Sequence, residues 1–141
     1  MRKYKVYIDE NLPSQLAKGL HELQLPQNKR DDIEIQVLSI KEIFGQGEQD
    51  EDWIPKVGAE NGIVITQDYR IQTQRHQKEL YLEYGVGILF FNPPSKGGFP
   101  YWDLVKLVIN RWEEIKQIIR KEKPPFAFRC TARKTFERIE N

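Results

Sequence analysis

Apolar positions along the chain follow two alternating rhythms. Short, nearly continuous apolar runs occur at residues 4–8 (YKVYI), 63–66 (IVIT) and 86–91 (VGILFF), while residues 33–40 (IEIQVLSI) alternate apolar with polar. Runs of this length, rich in β-branched and aromatic side chains, predict strands, and the continuous ones predict strands covered on both faces. Between them the spacing turns helical. Leu16, Leu20 and Leu23 predict a helix over 13–23, with Pro13 suited to its first turn. A loop containing Gly45 and Gly47 precedes residues 50–55 (DEDWIP), which open a short helix whose first turn tolerates Pro55. Residues 72–84 read as a further helix. The longest helix is predicted over 102–123, with Leu104, Val108, Ile115 and Ile119 along one side; Pro124 and Pro125 stop it, and residues 126–131 (FAFRCT) form a closing strand.

Strands separated by helices predict an α/β fold, a mainly parallel sheet of about five strands covered on both faces. With 141 residues, no internal repeat and no low-complexity linker, residues 1–141 read as one domain. A hydrophobic content of 39% with 30% charged residues excludes a disordered or fibrous chain. No apolar run could span a bilayer, and the first residues lack the pattern of a signal peptide, so a cytoplasmic protein without membrane contact is expected. One cysteine, Cys130, and two histidines, His21 and His76, are too few for the usual structural zinc site. Cys130 reads as a small core residue.

Sites in parallel sheets form outside the carboxyl ends of the strands, and the acidic residues collect there. Asp9 and Glu10 follow the first strand, Asp50, Glu51 and Asp52 start the helix after the second, and Asp68 follows the third. Carboxylates brought that close repel one another, and a hard divalent cation removes the penalty, which points to Mg²⁺ or Mn²⁺ on Asp9, Asp50 and Asp68 and to phosphodiester hydrolysis. Glu10, Asn11, Thr66 and Asn92 stand on the same edge as supporting residues. Competing readings are plain ones: Asp50 or Asp52 caps its helix, Glu10 and Glu51 are solvated, and Asn92 forms a turn before Pro93. Phe99, Tyr101 and Trp102 either stack a base or pack at a helix start.

Charge is divided along the chain. Residues 1–60 hold 8 Lys/Arg against 12 Asp/Glu, and residues 61–141 hold 14 against 9. Arg70, Arg75 and Lys78 lie just after Asp68, and Arg129 and Arg133 belong to a basic tail that also contains Arg120, Lys121 and Lys123; all suit contact with a phosphate backbone or an ordinary solvated surface. His76 reads as an exposed helix residue or a catalytic acid.

Three segments resemble the PIN-like domains, in particular the group related to VapC-type toxins: residues 9–13 (DENLP), 50–58 (DEDWIPKVG) and 65–71 (ITQDYRI). The resemblance implies a three-layer Rossmann-like fold and an Mg²⁺- or Mn²⁺-dependent ribonuclease. Asp9, Asp50 and Asp68 match the family's acidic metal positions. It further implies an RNA substrate, a small antitoxin partner and a homodimer. A fourth acidic residue that the family often carries has no match here, since the carboxylate after Asp68 is Glu79. A catalytically silent RNA- or protein-binding module is the alternative. A phosphoacceptor receiver domain fits less well, because the fourth strand ends in Asn92-Pro93-Pro94 where a lysine is required.

Overall fold

The computed structural model describes residues 1–68 and 74–139. Alternating side chains on each inner strand feed two separate cores, which is what forces helices onto both faces of the sheet. In β1 (Arg2–Ile8), Val6 and Ile8 enter one core and Tyr7 the other; in β3 (Ile63–Thr66), Ile63 and Ile65 oppose Val64. In β4 (Gly87–Phe91), Leu89 and Phe91 oppose Ile88 and Phe90. The period of two along a strand explains the division.

The first core is covered by α1 (Ser14–Gln24) through Leu16, Ala17 and Leu20, and by α6 (Tyr101–Asn110) and α7 (Trp112–Lys121) through Leu104, Val108, Trp112, Ile115 and Ile119. The second is covered by α4 (Asp50–Ala59) through Trp53, Ile54 and Val57, and by α5 (Arg75–Glu83) through Tyr81. The result is the three-layer α/β arrangement expected of a Rossmann-like fold. No helix among the described residues is long and apolar enough to cross a membrane.

The sheet has six strands in the order β2-β1-β3-β4-β5-β6, with β2 (Ile33–Ser39) and β5 (Phe126–Cys130) as further parallel members. The sixth, β6 (Glu137–Arg138), runs antiparallel to β5. Both residues of β6 are exposed and charged, so no apolar alternation marks it in the sequence. From β1 the chain steps outward to β2 and then returns to β3 on the other side of β1. That reversal makes the carboxyl ends of β1 and β3 a topological switch point, where adjoining loops leave toward opposite faces and open a crevice.

Other differences from the sequence reading have local causes. The single helix expected over 102–123 is two, which meet at Arg111, where ψ opens to −2°. Its guanidinium reaches across to the carbonyls of Thr131 and Lys134 at 3.1 and 3.3 Å. Residues 72–73 of the helix expected over 72–84 lie outside the described residues. The short helices α2 (Asn28–Asp31) and α3 (Ile40–Phe44) are too brief to show a period. A buried polar network ties α1, α2 and α7: Gln24 accepts from the Trp112 indole at 2.9 Å and donates to Asn28 and Asp31, and Lys116, nearly enclosed, donates to Asp31 at 2.8 Å. Each buried polar group there has a partner, as burial requires.

Gly58 lets α4 approach the end of α5. A Cβ there would lie 2.2 Å from the Tyr84 carbonyl oxygen, so Gly58→Ala is expected to destabilise the fold by about 1–3 kcal/mol. A lowered urea midpoint at unchanged slope would show this; an unchanged midpoint would contradict the packing described.

Candidate metal centre

The site is built outward from the end of the ladder. The Asp9 N–H donates to the Ile65 carbonyl at 3.0 Å, continuing the parallel pairing of β1 and β3 one residue past the strand. This holds the Asp9 carboxylate, only 8% exposed, above the end of β3. Its Oδ1 accepts from the Glu10 N–H at 2.8 Å, and its Oδ2 accepts from the Thr66 hydroxyl at 2.7 Å and from Asn11 Nδ2 at 3.4 Å. Thr66, fully buried, is the hub: while donating to Asp9 it accepts from the Asp68 N–H at 2.9 Å and from Asn11 Nδ2 at 3.2 Å. One hydroxyl therefore fixes the Asp9 side chain and the Asp68 backbone together. Asn11 adds a second tie, its carbonyl accepting from Gln67 Nε2 at 2.7 Å.

Asp50 enters from the other face. It is the first residue of α4, whose N-cap is Gln49 with no side-chain cap, so neither Asp50 nor Asp52 caps the helix with its side chain. Asp50 Oδ2 instead accepts from Gln77 Nε2 of α5 at 2.7 Å. Beside it, His76 Nε2 and Glu51 Oε1 lie 2.8 Å apart in an exposed pair that links the starts of α5 and α4. Glu10 accepts from the Gly47 N–H at 2.9 Å, fastening the loop before α4.

Electrostatics record the convergence. Burial raises the Asp9 pKa to about 6, opposed by the hydrogen bonds from Thr66 and the Glu10 N–H and reinforced by the charges of Asp68 and Asp50. Burial also raises the Asp50 pKa; the Gln77 hydrogen bond opposes this, and Glu51 and Asp68 add to it. The Tyr81 phenol is raised well above its ordinary value by complete burial, and then by Asp9, Asp50 and Asp68 acting together. Three carboxylates from distant segments thus act on one buried phenol. Two buried oxygens at this place, Tyr81 Oη and Gln77 Oε1, have no hydrogen-bond partner among the described residues.

That donor set fits a hydrated divalent ion. Oxygen ligands suit hard cations, and orphaned phenol and amide oxygens are acceptors for the hydrogens of an ion's retained water. Among the described residues no three Asp, Glu, His or Cys groups stand close enough for direct ligation of one ion. Mg²⁺ commonly keeps several waters and takes only one or two carboxylates directly, which such spacing accommodates. Neither Tyr81 nor Gln77 was marked by the sequence. They are four apart on one helix face, but nothing in the periodicity says that face meets the acids.

The remaining candidates separate. Asn92 extends β4, donating its N–H to the Cys130 carbonyl at 2.9 Å. Arg75 pairs with Glu79 at 2.8 Å on an exposed helix surface, and Lys78 lines a recess with Val86, Pro125 and Phe126 beside β4 and β5. Arg129 is 3.8 Å from Glu137, Arg133 is exposed in the turn after β5, and Arg70 lies outside the described residues. Phe99 packs on the core, but Tyr101 and Trp102 are exposed, so the packed helix start holds for the first aromatic only. A groove of about 390 Å³ next to the acids is lined by Glu10, Asn11, Lys41, Gln67, Phe99 and Tyr101. Cys130 is buried, and burial pushes its thiol up to about 12, which leaves it unreactive.

A family model described as a PIN like domain matches residues 4–93, a span that runs from β1 through β4 and contains Asp9, Asp50 and Asp68. No curated protein and no solved structure gave a match.

The Asp9 shift has a consequence for stability. Its folded pKa of about 6 exceeds the ordinary 3.8, so its contribution is complete below about pH 4 and is lost as pH rises through 6. In divalent-free buffer the wild type should therefore lose up to about 3 kcal/mol relative to Asp9→Asn between those limits. Unfolding curves of both proteins from acid to neutral pH check this, and parallel pH profiles would contradict it.

Proposed function

The chain belongs to the PIN-like domain family, whose members are often nucleases, and on that premise we propose that it is a divalent-metal-dependent endoribonuclease hydrolysing RNA phosphodiester bonds. The observation that carries this reading is the buried Thr66 hydroxyl, which ties the Asp9 carboxylate to the Asp68 backbone, with the unpartnered oxygens of Tyr81 and Gln77 on the helix whose Gln77 amide holds Asp50. Asp9 and Asp68 would hold Mg²⁺ or Mn²⁺, with Asp50 completing the shell or orienting water. The bound ion would supply water activation and neutralise charge developing on the phosphate.

The protein's own groups have separable tasks. Thr66 aligns Asp9 through its donated hydrogen bond, and Gln77 holds Asp50 at the mouth of the crevice. The adjoining groove, with Lys41 and exposed Tyr101, would receive the nucleotides beside the scissile bond, its volume of about 390 Å³ being that of a ligand site. The toxin role, with a small antitoxin and a homodimer, rests on the resemblance of residues 9–13, 50–58 and 65–71 to VapC-type proteins.

A second reading has one observation in its favour. Glu79, the next carboxylate after Asp68, is exposed and paired with Arg75, so it does not supply a fourth acid. A catalytically silent module that binds RNA or protein would tolerate that.

Incubating purified protein with single-stranded and structured RNA in Mg²⁺ or Mn²⁺ separates the two. The nuclease reading expects cleavage by the wild type and a loss of about a hundredfold or more in Asp9→Asn, with a smaller loss in Thr66→Val. Binding without cleavage by the wild type would favour the silent module, and equal cleavage by wild type and Asp9→Asn would remove the proposed chemistry.

A further inference from the structure

At the amino ends of the strands, away from the carboxylates, lies a second cavity of about 390 Å³. Seven residues of β1 separate the two edges, roughly 20 Å at about 3.3 Å per residue. The parallel course of β5 explains its character. Residues just before β5 emerge at this amino edge and those after it at the carboxyl edge, so the basic tail read as one unit in the sequence is split between opposite ends of the sheet.

Five cations line the cavity: Arg2, Lys3, Arg120, Lys121 and Lys123, together with apolar surface from Ile63 and Ile119. The two carboxylates that also line it are committed to other partners. Glu60 accepts from the Tyr7 hydroxyl at 2.7 Å and pairs with Lys5 at 3.0 Å, and Glu122 pairs with Arg138. Lys3 reaches the exposed Glu34 at 3.7 Å, and Arg120 stands 4.0 Å from Asp31, whose carboxylate is already held by Lys116 at 2.8 Å. Arg2, Lys121 and Lys123 enter no ion pair among the described residues.

An ordinary surface intersperses charges of both signs in balance, whereas this concavity gathers five cations against two committed carboxylates and leaves three of the cations without an ion pair among the described residues. A concave wall focuses that field, and guanidinium and ammonium groups together match the oxygens of a phosphate. We propose that this amino-edge cavity binds phosphate groups, carried either by an RNA backbone or by a small phosphorylated molecule, at a site distinct from the carboxylate centre. The proposal stands on the charge and shape of the cavity and does not require the nuclease reading.

The test is a titration of the full chain at low salt, in chelator, with inorganic pyrophosphate, a nucleoside monophosphate and a single-stranded RNA oligonucleotide. Wild type is compared with Lys121→Ala/Lys123→Ala, with Lys18→Ala/Lys29→Ala as a charge-matched control on the exposed surface of α1 and α2, and with Asp9→Asn. Affinity should fall about tenfold or more in the first double variant only, with the salt slope for RNA reduced by about 1.4. Binding of the small phosphates as well as RNA would assign the site to compact ligands, and binding of RNA alone to the backbone. Absence of binding by the wild type, equal loss in both double variants, or loss in Asp9→Asn would overturn the proposal.

Discussion

Burial of the Asp9 carboxylate, with Asp50 and Asp68 adding like charge, is the constraint around which the carboxyl edge is organised. Asp9 could relieve it by turning outward, but three hydrogen bonds hold its two oxygens: the Glu10 N–H on one, and Thr66 and Asn11 on the other. The bonds from Thr66 and the Glu10 N–H lower the Asp9 pKa, yet burial and the neighbouring charges outweigh them. The local structure thus keeps the carboxylate in place against its own electrostatics. On the proposed function, a cation entering the crevice would relieve that penalty and be bound more tightly for doing so.

The scaffold makes this arrangement possible through its connectivity. Asp9 and Asp68 are neighbours because β1 and β3 pair in parallel, and Asp50 arrives because the crossover between β2 and β3 passes over the opposite face as α4. The carboxylates therefore sit on three separately anchored elements rather than one flexible loop. Gly58, by admitting α4 against Tyr84, and Tyr81, by filling the space beneath the acids, set how closely the helical side approaches the strands. The same parallel sheet gives the opposite end a contrasting charge, with cations gathered where the strands begin.

Much of this was legible from residue order. Continuous apolar runs marked β1, β3 and β4, and a strand-end rule placed Asp9, Asp50 and Asp68 on one edge. What periodicity cannot carry is the rotation of a helix about its axis, so Gln77 and Tyr81 went unmarked although both face the acids. Nor does it reveal which end of the sheet a charge belongs to until the strand directions are known, which is why Lys121 and Arg133 read as one basic tail. Arg111 shows a third kind of limit: the break between α6 and α7 is accompanied by contacts to the carbonyls of Thr131 and Lys134, about twenty residues away in sequence. The capping reading of Asp50 failed for a related reason, since Gln77 offers it a tertiary partner that local sequence does not contain.

Mn²⁺ binding followed by electron paramagnetic resonance tests most directly whether these carboxylates form one cation pocket. Saturable binding by the wild type is expected at neutral pH, with comparable weakening when Asp9, Asp50 or Asp68 is singly changed to Asn. Binding that is absent from the wild type, or that survives all three substitutions unchanged, would contradict a shared pocket.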